Sequence, residues 1–244
     1  MLRNVQYENH LISYDLTYKD VRNINLRIRP DSTVSVSANQ LVPVEKIDTF
    51  VISKGKYIVN ILQKFSDLEQ YAPKPKKYVS GESFKLLGRD LRLKVIKGNK
   101  EKIETDGVYI FLTVKNKADY DRKYSLVTRW LSSQCKQVFN EVVDDIYGKF
   151  EKYGVVKPKL CIREMISRWG SCQPKRGVIT LNTRLIEVPL ICIEYVVLHE
   201  FCHYIQPNHS KKFYTFIQMM MPDWKDRKKI LESREYYIGN TITE

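Results

Sequence analysis

The chain is poor in several residue types, and each shortage excludes something. Its 244 residues hold five cysteines, four histidines, ten glycines and nine prolines. The cysteines (Cys135, Cys161, Cys172, Cys192, Cys202) are odd in number, widely spaced and form no C-x-x-C pair. That pattern argues against a disulfide framework and for a reducing cytoplasm. No apolar run approaches the roughly 18 residues of a membrane span. Arg3, Asn4, Gln6, Glu8 and Asn9 interrupt the start of the chain, so no secretory signal is expected there. No phosphate-cradling glycine loop, low-complexity segment or internal repeat is legible. The length allows one large or two small domains with a real core.

Acidic residues are also in short supply: 41 Lys/Arg face 28 Asp/Glu, a net charge of +13. Such a surface admits anionic partners, a nucleotide or a nucleic acid among them. Part of the excess is local, with ten Lys/Arg against three Asp/Glu from Lys74 to Lys102. A solvated, lysine-rich strand edge accounts for that stretch better, because no nucleic-acid-binding module accompanies it.

The organisation reads as α+β. Leu11 to Leu16, Ile24 to Arg29 and Thr33 to Ser37 alternate apolar and polar residues as strands do, with Pro30-Asp31 as a turn. Pro43 to Leu68 reads as a helix with a weak point at Gly55, and Tyr71 to Lys77 as a proline-bearing loop. Lys85 to Ile96 reads as a hairpin around Gly88, and Val108 to Val114 as another strand. The polar stretch Asn116 to Asp121 suggests a boundary. It divides the chain into a β-rich region 1–118, with its helix at about 43–68, and a core 119–244. The second part opens with a long helix, Arg122 to Tyr153. Glu141, Asp144 and Asp145 lie on it at a spacing that could hold Mg²⁺, although a solvated helix face explains them better. Leu160 to Met165 and Val178 to Asn182 read as strands, and Trp224 to Tyr236 as a basic helix.

Scarcity is most informative for histidine. Three of the four fall within eleven residues: His199, His203 and His209. His199-Glu200-Phe201-Cys202-His203 is an H-E-x-x-H sequence. On a helix it sets two imidazoles one turn apart on one face, able to reach a single ion, with Glu200 beside the open coordination position. The surrounding run from Leu190 to Ile205 is apolar nearly all round, as a buried helix is. Two histidines and a glutamate inside such a helix cost free energy unless they are paired or metal-bound. Pro207 should stop the helix near Ile205, and Asn208 tolerates the left-handed backbone that a sharp reversal needs. The chain then returns His209 to the same ion, and Ser210 caps the next helix. Three protein ligands leave a fourth position open, the pattern of a catalytic rather than a structural site. Imidazole-only ligation favours one zinc ion per chain, with nickel, cobalt or copper able to load in vitro.

The flanking residues are similar to those of a known family. Arg168-Trp169-Gly170-Ser171-Cys172, Ile179-Thr180-Leu181-Asn182, Pro189, the helix Tyr195 to His203, and Asn208-His209-Ser210 with Phe213 resemble the YgjP-like metal-dependent hydrolases. These are zincins grouped with the SprT-like and WLM metallopeptidases. The resemblance covers most of the chain, including the first strands and helix. It implies a backing helix, a short sheet, a metal helix and a third histidine soon after. It also implies His199, His203 and His209 as zinc ligands and Glu200 as general base. Gln206 occupies the position where metzincins need glycine, which excludes that group. Met219-Met220-Met221 sits at helical spacing and reads as core rather than a Met-turn.

Trp169, Gly170 and Ser171 are candidate substrate-binding residues, either shaping a cleft at a sheet edge or forming a glycine turn with a packed Trp. Tyr195 and Tyr204 flank the motif and are candidates to donate to an oxyanion, although core or rim packing accounts for them better. Glu187, Glu194 and Asp223 are candidates to orient the zinc-bound histidines. The expected function is zinc-dependent hydrolysis of a protein or peptide substrate by a cytoplasmic enzyme that does not span a membrane. Two alternatives stand beside it. Some members of the family are described as acting on UTP as pyrophosphatases, and SprT-like relatives act on DNA-attached proteins.

Overall fold

The computed structural model describes residues 1–29, 31–69, 75–165, 168–233 and 236. Pro30 and the first half of the expected loop 71–77 lie outside them. The chain divides into two compact units, Met1–Lys74 and Pro75–Glu244.

The first unit is a four-stranded sheet with two helices. Its strands are β1 (Leu2–Tyr7), β2 (His10–Tyr18), β3 (Asn25–Ile28) and β4 (Val34–Ala38), in the order β1-β2-β4-β3. The outer pairs are antiparallel and the central pair β2/β4 is parallel. Alternation buries Ile12, Tyr14 and Leu16 from β2 and Val34, Val36 and Ala38 from β4. The helices α1 (Val44–Ser53) and α2 (Gly55–Glu69) bury Ile47, Val51 and Ile58 in the same core. The single helix expected over 43–68 is thus split at Lys54. Gly55 is needed there because a Cβ would sit 2.1 Å from the ring of Tyr7.

The second unit opens with β5 (Ser83–Leu86), β6 (Arg89–Lys97), β7 (Lys102–Thr105) and β8 (Tyr109–Val114). The hairpin turn between β5 and β6 carries two positive φ angles, at Leu87 and Gly88. The sheet order is β5-β6-β8-β7, again with antiparallel outer pairs and a parallel centre. The two sheets therefore share one topology, a repeat that the sequence does not display.

The helix α3 (Tyr120–Phe150) follows, its N-terminus capped by Asp119, whose side chain accepts from the Arg122 N–H at 2.9 Å. It packs on β7, β8, the strand β9 (Lys159–Arg163) and the metal-motif helix α4 (Leu190–Cys202). By spanning both groups, α3 joins the second sheet to everything after it. For that reason the packing division falls at 74/75 and not at the polar stretch near 118. A three-stranded sheet, β10 (Gly170–Gln173), β11 (Val178–Asn182) and β9, runs in the order β10-β11-β9. The helices α5 (Lys211–Met220) and α6 (Trp224–Leu231) complete the unit. α6 ends five residues before the expected Tyr236. No helix among the described residues is long and apolar enough to cross a membrane.

Candidate metal centre

The helix α4 is buried almost throughout because it is apolar on all sides, and it carries His199 and Glu200 into the interior at 3% and 6% exposure. It ends at Cys202, three residues earlier than expected, and His203 is its C-cap. Short-range backbone bonds then turn the chain, with the N–H groups of Ile205 and Gln206 both donating to the Cys202 carbonyl. Asn208 does not adopt the left-handed backbone expected of it; the reversal is made by the turn at 203–205 instead. Ser210 caps α5 as expected, its Oγ accepting from the Phe213 N–H at 3.4 Å.

This path brings the three histidines together. One ring nitrogen from each of His199, His203 and His209 lies within 4.8 Å of the others, and this is the one such cluster among the described residues. His199 Nε2 and His209 Nε2 are 2.9 Å apart. The Phe213 ring contacts all three imidazoles at centroid distances of 4.8 to 4.9 Å. Tyr214 stacks on His209 and on Trp224, and Trp224 on Tyr195, so an aromatic layer supports the site.

The electrostatics suit a cation. Burial, then the neighbouring histidines, holds His199 well below the usual imidazole range. Burial and His209 also lower His203, against the Gln206 and Pro207 carbonyls, which favour its charged form. Neutral imidazoles are what a metal requires. Burial pushes the Glu200 carboxyl up to about 8, with the positive charge of Arg168 opposing. His199 Nδ1 is buried without a protein partner among the described residues. Three converging neutral nitrogens beside a buried carboxylate therefore fit a divalent metal, which would hold an otherwise costly arrangement together.

The cleft beside the histidines has a volume of 220 Å³. Arg168 to Cys172 form one wall, and Val196, Glu200 and Pro207 contribute to the others. The sequence reading offered a glycine turn or a cleft wall for this segment; Gly170 to Cys172 belong to the edge strand β10 and face the cleft. Trp169 is 1% exposed, so its ring is packed. Gly170 has a specific reason to lack a side chain: a Cβ there would lie 2.6 Å from Glu200 Oε1 and 2.9 Å from Glu200 Cγ.

Other expectations resolve differently. Tyr195 is buried beneath the histidines, and Tyr204 faces the Cys172 thiol, so neither lines the cleft. Glu194 and Asp223 both pair with Arg227, and Glu187 pairs with Arg184. None of the three carboxylates bonds a histidine. Asp144 pairs with Lys157 at 2.7 Å and Glu141 accepts from Gln137, as on a solvated helix face.

Sequence reasoning quoted Asn182 within the family pattern but gave it no role; it is fully buried. Its Nδ2 donates to the carbonyls of Met165 (2.7 Å) and Arg168 (2.9 Å), and its Oδ1 accepts from the Arg184 N–H (3.1 Å). It thereby ties the entry to β10 onto β11. An asparagine in a strand pattern was the available signal.

Comparison with known proteins places the chain in a family. The model of the YgjP-like, metallopeptidase domain family matches residues 22–234. The chain belongs to that family. It is accordingly a metal-dependent hydrolase of the metallopeptidase class. Similar solved structures include two archaeal metallopeptidase zymogens. Jannalysin of Methanocaldococcus jannaschii is 20% identical, with 38% of this chain and 94% of that one covered and a TM-score of 0.33. Abylysin of Pyrococcus abyssi is 18% identical, with 43% and 99% covered and a TM-score of 0.37. A comparison with curated proteins found no match.

Proposed function

We propose that this metallopeptidase holds one zinc ion through His199, His203 and His209 and uses Glu200 as general base on peptide substrates. The convergence of three imidazole nitrogens within 4.8 Å, next to a buried carboxylate that opens on the cleft, carries this reading. Zinc, when bound, supplies a Lewis acid that polarises a carbonyl and acidifies water. Glu200 accepts the proton of the attacking water and delivers it to the leaving amine nitrogen as the C–N bond breaks. A carboxyl whose proton affinity burial has raised suits both transfers.

Phe213 fixes the imidazole planes from behind, and the edge strand β10 offers its free backbone groups to an extended peptide beside Glu200. In this role Trp169 anchors the strand while Gly170 and Ser171 meet the substrate. Every residue in this reading follows position 119. The functional division is therefore a β-rich region 1–118 and a hydrolase core 119–244, although packing divides the chain elsewhere. The free cysteines, three of them buried, suit a cytoplasmic setting.

The test is Glu200→Gln in zinc-loaded protein. Metal content should be unchanged and hydrolysis of an unfolded protein substrate should fall on the order of 10²–10⁴-fold. Retained turnover would falsify the role of Glu200. Hydrolysis of UTP without hydrolysis of peptides would overturn the peptidase reading.

A further inference from the structure

We propose that Arg168 is the recognition cation of the cleft and that the preferred substrates carry a carboxylate near the scissile bond. The inference rests on the peptidase reading above and names the chemistry that this site selects. Among the described residues, apart from the imidazoles and Glu200, the cleft is lined by neutral residues and by Arg168, the one Lys or Arg of its wall. Arg168 is exposed, and no ion pair holds its guanidinium among the described residues. Its charge is nevertheless close enough to act on Glu200. A planar guanidinium grips a carboxylate through two parallel hydrogen bonds, a geometry that Lys cannot reproduce.

The backbone beneath this side chain is fixed. Asn182 Nδ2 donates to the Arg168 carbonyl at 2.9 Å, and the Asn182 N–H donates to the Trp169 carbonyl at 2.9 Å. The Arg168 main chain is therefore anchored to β11 while its guanidinium remains available. Anchoring lowers the ordering cost of engaging a ligand. The net charge of +13 acts in the same direction, drawing acidic polypeptides toward the surface.

An acidic side chain and a free C-terminal carboxylate share this chemistry, and matched peptides separate them. Peptides with Glu, Gln or Lys at the central position, each with a free or an amidated C-terminus, are assayed with zinc-loaded protein. Binding of the same peptides to the Glu200→Gln variant is followed by fluorescence anisotropy. Wild type should favour a carboxylate-bearing peptide over its neutral match by about tenfold in kcat/KM. Arg168→Gln should bring that ratio to about one, and Arg168→Glu should favour the Lys peptide. Anisotropy should show the same order in the Glu200→Gln background and weaken with salt. A preference for the Glu peptides identifies a side-chain carboxylate, and a preference for free over amidated ends identifies the C-terminus.

A wild-type ratio of one overturns the proposal. So does an Arg168→Gln variant that slows all peptides equally while shifting the pH profile, since Arg168 would then act on Glu200 and not on substrate. If no peptide is cleaved yet carboxylate peptides bind in an Arg168-dependent way, the peptidase reading falls and the carboxylate site stands. Neither cleavage nor binding overturns both.

Discussion

The two four-stranded sheets of this protein have one topology and opposite uses. In each, two antiparallel hairpins meet along a parallel central pair, β2/β4 or β6/β8. The strands β2 and β6 are both nine residues long and bury the third, fifth and seventh of them. The difference lies in the helix that follows. After β4 the helical run is broken at Lys54, next to Gly55, where Tyr7 leaves no room for a side chain, and it folds back on its own sheet. After β8, α3 runs unbroken for 31 residues and extends past its sheet to β9 and α4. One sheet is thus closed by its own helices, while the other shares a helix with the metal centre.

Partly or fully buried polar groups separate the units in the same way. In the first, Arg3, Tyr14 and Asp48 satisfy one another: the guanidinium donates to Asp48 at 2.7 and 3.2 Å, and the Tyr14 hydroxyl donates to it at 2.6 Å. In the second, the His199 Nδ1 and the Trp169 Nε1 are buried with no protein partner among the described residues. A closed network stabilises, whereas an incomplete one stores a cost that a ligand can remove.

Metal removal gives the sharpest test of that contrast. Zinc at a hundredfold excess over Kd should stabilise the second unit by about 2.7 kcal/mol and leave the first unchanged. Hydrogen exchange with and without chelator should locate the added protection in α4 and α5. Equal changes in β1 to β4 would erase the distinction. Gly170→Ala should come next, with kcat falling on the order of tenfold and KM little altered, because the new methyl displaces the Glu200 carboxylate. Unchanged kcat would show that Glu200 tolerates the move.

The smallest effect belongs to Asp48→Asn, at about 1 kcal/mol for a partly solvated pair. Arg3 and Tyr14 hold the Asp48 carboxyl below its ordinary value of 3.8. Its folded pKa being the lower one, its contribution is complete above pH 3.8 and is lost as pH falls through the depressed value. Acid unfolding of the first unit should therefore be flatter in the variant, as read by denaturant melts over that range.

Much of this was legible in one dimension. Alternation located β2, β3 and β4, and strand-like runs bounded by turns placed β6, β8, β9 and β11; Asp119 and Ser210 cap the helices α3 and α5. The strand β1 was missed because Leu2 to Tyr7 is largely polar on an edge, where alternation carries little. The strand β10 was read as a turn or a cleft wall because Gly170 and Ser171 lack strand propensity; only its pairing with β11 makes it a strand.

By itself the sequence nominated the proposed ligand set and the proposed base. H-E-x-x-H followed by His209 is a local pattern, and helical pitch together with a proline is enough to gather those side chains. The tertiary structure decided what surrounds them. It set Gly170 against Glu200, locked Asn182 under Arg168, laid Phe213 behind three imidazoles, and turned the carboxylates of Glu187, Glu194 and Asp223 toward arginines instead. Most of these contacts join residues ten or more positions apart, and their geometry depends on how whole elements pack, which no local spacing encodes.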